Sequence, residues 1–129
     1  MKLNQDCVRA VLLELEEKLT LDDHLYLPQI KQLECIEKYG EDNVIYSILK
    51  LMEANYILGS KQYASDELIH LGISSLTWDG HLFLDTIRDN QVWKETKSVV
   101  SKFSSVSISL VSSVASSILN ELIKKQLGI

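Results

Sequence analysis

Leu76-Thr77-Trp78-Asp79-Gly80-His81-Leu82-Phe83-Leu84 reads as the end of a strand running straight into a capped helix. Thr77 is a good N-cap, because its hydroxyl oxygen can accept a bond from an amide of the first turn. Asp79 sits in that first turn, where the helix dipole favours a carboxylate, and Gly80 leaves room for close packing. The spacing predicts a helix from Thr77 that buries Leu82, Phe83 and Ile87. Arg88-Asp89-Asn90 should break it before another helix carrying Val92, Trp93, Val99 and Val100.

Upstream, Val8, Val11, Leu12, Leu15 and Leu19 recur at three and four, predicting an amphipathic helix from about residue 4 to 20. Asn4 or Asp6 lies near its cap, and Arg9, Glu14, Glu16, Glu17 and Lys18 fill the charged face. Leu21-Asp22-Asp23 reads as a turn and Leu25-Tyr26-Leu27 as a short strand stopped by Pro28. Ile30, Leu33 and Ile36 mark a second helix ending at Tyr39, with Gly40 placed to turn left-handed and stop it. A third helix, capped by Asp42 or Asn43, would carry Val44, Ile45, Ile48, Leu49 and Met52 inward and Tyr46, Ser47, Lys50 and Glu53 outward. Two helices joined around a glycine form a helix-turn-helix signature. Tyr56 to Gly59 and Leu68 to Ile73 then read as two strands of a hairpin, separated by a polar stretch from Ser60 to Asp66.

The last segment is unusual. Ten of the residues from Ser98 to Ser117 are serine, and no charge occurs from Phe103 to Asn120. Ile108, Val111, Ala115, Ile118 and Leu122 nevertheless keep three-to-four spacing, which predicts one amphipathic helix of about 20 residues closing near Gly128. Eighteen residues without charge approach a bilayer span. The frequent serines argue against that, since half the helix would place hydroxyls in lipid. Ser105, Ser109, Ser112 and Ser116 form a small-residue stripe, and with Ile108 and Ala115 they suit close approach of another helix, within the chain or in a homodimer.

The chain has 129 residues, 46% hydrophobic and 24% charged, the composition of a globular protein able to bury roughly two-thirds of its unfolded surface. Cys7 and Cys35 belong to no CxxC pair and read as small apolar residues of a reduced interior. The start, Met1-Lys2-Leu3-Asn4-Gln5-Asp6, has no apolar run behind a basic segment, so a cytoplasmic protein is expected. His24, His70 and His81 show no metal-ligand spacing, and no phosphate loop, nucleophile elbow or Cys/His pairing is visible. The expectation is a protein that is not an enzyme, with no catalytic residues, no metal and no cofactor.

The order helix, strand, helix, helix, hairpin, helix predicts a mainly α fold with a small β-hairpin, an α+β winged helix-turn-helix core over residues 1–88. A C-terminal helical extension follows over residues 89–129. In such a fold the third helix would enter the major groove, presenting Asn43, Tyr46, Ser47 and Lys50, with Lys61, Gln62 and Tyr63 on the wing. The competing reading is a solvated helix face and hairpin tip. Charge favours it: the chain carries a net -5, and residues 1–87 hold 7 basic against 15 acidic side chains, while residues 88–129 hold 6 against 3. Phosphate contacts need cations, and Glu41, Asp42 and Glu53 flank Lys50.

The opening Met1-Lys2-Leu3-Asn4-Gln5-Asp6, the stretch Leu76 to His81 with Phe83-Leu84, and Ile87-Arg88-Asp89 followed by Val92-Trp93-Lys94-Glu95-Thr96-Lys97 together resemble a family of small phage and prophage proteins, domain of unknown function 2513. A Lys-containing helix ending in Leu127-Gly128-Ile129 completes the resemblance. It implies a winged-helix fold and a cytoplasmic protein of bacterial or phage origin, and supplies no catalytic residues. The middle, about residues 21 to 73, matches only in pattern. Two functions are therefore carried forward: a DNA-binding regulator that dimerises through its C-terminal helices, and a module that binds a protein. The second includes a phage factor occupying the cationic nucleic-acid site of a host defence enzyme, which an acidic protein could imitate.

Overall fold

In the computed structural model, which describes residues 1–129, the strand-to-helix junction forms as the sequence requires. The Thr77 hydroxyl oxygen accepts from the Gly80 amide at 3.0 Å, and the same hydroxyl donates to the Asn55 carbonyl. The Thr77 amide bonds the Tyr56 carbonyl at 3.0 Å. Gly80 is needed there, because a Cβ would run into that Tyr56 carbonyl oxygen. One expectation fails. The buried face of the helix is Phe83, Leu84 and Ile87, whereas Leu82 is 51% exposed. At 100° per residue, Leu82 points about 150° away from the middle of the arc those three share, toward the opposite side of the helix.

Two compact units make up the chain, Met1–His81 and Leu82–Ile129. The first contains α1 (Gln5–Lys18), β1 (Leu25–Tyr26), α2 (Leu27–Ile30), α3 (Cys35–Tyr39), α4 (Glu41–Glu53), β2 (Ile57–Ala64), β3 (Glu67–Leu76) and the first turn of α5 (Trp78–Ile87). The second holds the rest of α5 with α6 (Asn90–Val100) and α7 (Ile108–Leu127). The fold is mainly helical, with one small three-stranded antiparallel sheet in the order β1-β3-β2.

The Asn4 side chain caps α1, accepting from the Cys7 amide at 3.0 Å. Val8, Val11, Leu12 and Leu15 are fully buried and form one wall of the first core, facing Ile30, Val44, Ile48, Leu51, Leu71 and Ile73. Glu14 departs from its expected place on the charged face. It is 8% exposed, and its carboxylate accepts from the amides of Glu34 at 2.7 Å and Cys35 at 2.9 Å while Lys18 lies at 2.8 Å. Burial would push this carboxyl up, but the ammonium and the two amide donors more than offset it and hold it below the ordinary carboxylate range. The same contact corrects the second predicted helix. Residues 30–39 are not one helix: Ile30 ends α2 and only Cys35–Tyr39 form α3, because Glu14 takes the first amides of a helix restarting at Cys35. Leu27 is likewise in α2, not in the strand, with Pro28 in the first turn where its missing N–H costs nothing.

Gly40 ends α3 with a positive φ of 85°, outside the left-handed helical region at ψ 154°, and α4 begins at the next residue. The hairpin strands are longer than expected. Ser60, Lys61, Gln62 and Ala64 all belong to β2, and the turn is only Ser65-Asp66, both at positive φ as a tight primed turn demands. β2 is exposed from Leu58 onward, so it lacks the alternation by which strands are recognised.

In the second unit Asp89 caps α6 by accepting from the Gln91 and Val92 amides at 2.9 and 3.0 Å. Val92, Trp93 and Thr96 are buried on α6, and Val111 and Ala115 on α7, where the two helices pack; Val99 is on the exposed side. Ser107 caps α7 and Gly128, at φ 74°, ends it, so the predicted 20-residue helix is present. No helix is long and apolar enough to cross a membrane.

Candidate interaction face on the fourth helix and hairpin

The side chains proposed to read DNA are not displayed as expected. Ser47 is 1% exposed: its hydroxyl donates to the Asn43 carbonyl at 2.8 Å and lies 3.4 Å from the Cys7 sulfur. The buried stripe of α4 is Val44, Ser47, Ile48 and Leu51, one step round from the predicted one, so Ile45, Leu49 and Met52 are only half-buried. Asn43 donates its side-chain amide to the Tyr39 carbonyl at 2.8 Å, tying α4 to the end of α3. Lys50 reaches Glu53 at 2.8 Å and lies 5.4 Å from the centre of the Tyr46 ring. The hydrogen bond to Glu53 holds the Lys50 ammonium above its ordinary range and the Glu53 carboxyl below its own. Lys61, Gln62 and Tyr63 are exposed along β2, as predicted for a wing.

What the rotation of α4 leaves outward is apolar. Ile45, Tyr46 and Leu49 join Leu27 of α2 and Leu68 of β3 around a groove of about 320 Å³, completed by Met1, Lys31, Glu41, Asp42 and Glu67. Glu41, Asp42 and Glu67 are exposed at its rim, and Lys31 stands 3.9 Å from Glu41. Leu27 and Leu68 come from strand-like stretches far from α4 in the chain. Only the apolar pair Ile45 and Leu49, beside the Val44, Ile48 and Leu51 stripe of α4, could have announced this groove.

Other expected features sort differently. Ser105 lies in the connection before α7, not on the helix; Ala115 is fully buried, so it faces the chain's own interior. Ile108, Ser112 and Ser116 are half-buried and Ser109 is exposed. The outer face of α7 instead shows Leu110, Ile123 and Leu127. His24 stacks on Tyr26, His70 meets that ring at a tilt, and His81 lies 3.7 Å from Glu16; no group of three or more metal-binding side chains is present. Burial pushes both thiols up, Cys7 despite its Ser47 contact and Cys35, beside the Glu14 carboxylate, to about 12.

Fold and face together define a small, mainly helical α+β protein with an apolar groove, acidic at its rim, beside α4. The chain belongs to the family described as "Hypothetical protein (DUF2513)", which matches residues 2–107. It is also similar to an uncharacterised protein of Haemophilus influenzae, 30% identical over 124 residues, which cover 95% of this chain and 99% of that protein. No solved structure matches it.

Proposed function

We propose that this protein is a non-enzymatic winged-helix protein of a bacterial cell or its phage, acting in the cytoplasm by binding another protein through α4 and the hairpin. The element order helix, strand, three helices, hairpin, with the short α2 and α3 standing where one helix was expected before α4 and with β3 between β1 and β2, supports the winged-helix reading. The observation that carries the function is the face itself: apolar at its centre, acidic at its rim, with its one α4 lysine already held by Glu53. A DNA-reading helix needs the opposite, cations free to displace counterions. The displaced carboxyl, Glu14, serves to cap α3, which supports a structural rather than a catalytic use of the buried charge. Self-association through the uncovered outer face of α7 is part of the proposal.

The second reading, a DNA-binding regulator, is favoured by the exposed Lys61, Gln62 and Tyr63 on the wing. Two measurements separate the readings. A photo-crosslinking residue in place of Tyr46, activated in cells, is expected to yield protein adducts and no nucleic-acid adducts. Anisotropy with labelled duplex at low salt is expected to show no saturation. Saturable, salt-sensitive duplex binding that is lost on Lys50→Glu with Lys61→Glu reverses the choice.

A further inference from the structure

Resting on the protein-binding reading, we infer that the groove beside α4 receives a basic amphipathic helix of the partner. Ile45 and Leu49 stand four residues apart on α4 and so form one ridge along its axis, against which a second helix packs ridge into groove. Leu27 and Leu68 close the sides, giving half-buried apolar walls that a stripe of Leu, Ile or Met at positions i, i+3, i+4 and i+7 fills. Charge selects the flanks of that helix. Glu41, Asp42 and Glu67 are exposed at the rim and Asp66 adjoins them on the turn, whereas the cations nearby are Lys31, set against Glu41, Lys50, beside the Tyr46 ring and held by Glu53, and the Met1 amine. An acidic or nucleic-acid partner meets like charge over most of that rim, while Lys or Arg beside the apolar stripe meets opposite charge.

The test uses the full chain and three labelled peptides of about four turns. One has a Leu stripe flanked by Lys, its twin has Glu for every Lys, and the third keeps Lys but has Ser for every Leu. The expected result is saturable binding of the Leu/Lys peptide, weakened at least about tenfold in either of the other two. Amide shifts on binding should centre on Ile45, Leu49 and Leu68. Reversing the rim with E41K, D42K and E67K should move the preference to the Glu twin, and reversing E17K, D22K and D23K, an equal change outside the groove, should leave it in place. Equal binding of the Lys and Glu peptides, loss of preference in both triple variants, or no saturation below about 1 mM overturns the inference. If it is overturned while Tyr46 still crosslinks to protein, only the chemistry of the occupant was wrong; duplex binding would instead remove the reading beneath it.

Discussion

The two units solve the same problem, burying helices in a small volume, by opposite means. Met1–His81 carries 7 basic against 14 acidic side chains and is tied together across long loops: Glu14 to Glu34 and Cys35, Thr77 to Asn55, Ser74 to Leu58. Leu82–Ile129 carries 6 basic against 4 acidic, and the bonds of Asp89, Thr96, Ser107 and Ser113 close within a turn of their own helices. The first unit therefore adds to its apolar core a buried carboxylate whose bonds water cannot replace, while the second depends on side-chain packing between helices. The difference teaches where each should fail.

The largest effect is expected from Trp93→Ala, which empties the biggest buried side chain of α6 and should cost about 3–5 kcal/mol. Hydrogen exchange should place that loss in α6 and α7; an equal loss in α1 and α4 would abolish the contrast between the units. Next, Glu14→Ala leaves two amides without an acceptor and should cost about 2–3 kcal/mol, measured by urea unfolding. Acid should act through the same carboxylate. Its folded pKa is depressed, so its stabilisation is complete above the ordinary value of about 4.3 and is lost as pH falls through the folded value. Exchange at α3 should then rise early, and Glu14→Gln should flatten the acid limb of a pH series. The smallest effect on folding belongs to Leu110→Glu with Leu127→Glu, within about 0.5 kcal/mol per site. Sedimentation should nonetheless show less self-association, and an unchanged profile would take α7 out of the interface.

The Thr77 and Asn4 caps were legible because each is encoded within one turn of chain, and the length of α7 because its three-to-four spacing repeats along the helix. Glu14 was not, since its partners lie 20 and 21 residues away and nothing local distinguishes it from Glu16 or Glu17. Ser47 misled for a related reason: a hydroxyl that bonds the carbonyl four residues back can be buried as readily as a small apolar group. That one substitution of polar for apolar character turned the predicted face of α4, and with it the choice of side chains assigned to DNA. The groove draws on Leu27, Ile45, Leu49 and Leu68, three separate segments whose meeting no periodicity records. The exposed hairpin residues were legible because Lys61, Gln62 and Tyr63 are polar or amphipathic and need no partner to be there.

The two native thiols have a practical meaning for anyone handling the protein. With both held above their ordinary pKa, neither presents much thiolate at neutral pH, and thiolate is the form that maleimides, oxidants and disulfides capture. The chain can therefore be labelled at one chosen spot without first removing its own cysteines. Gln62→Cys, on the open arm of the hairpin, would be the fast-reacting site and would carry a dye beside the face where a partner is sought.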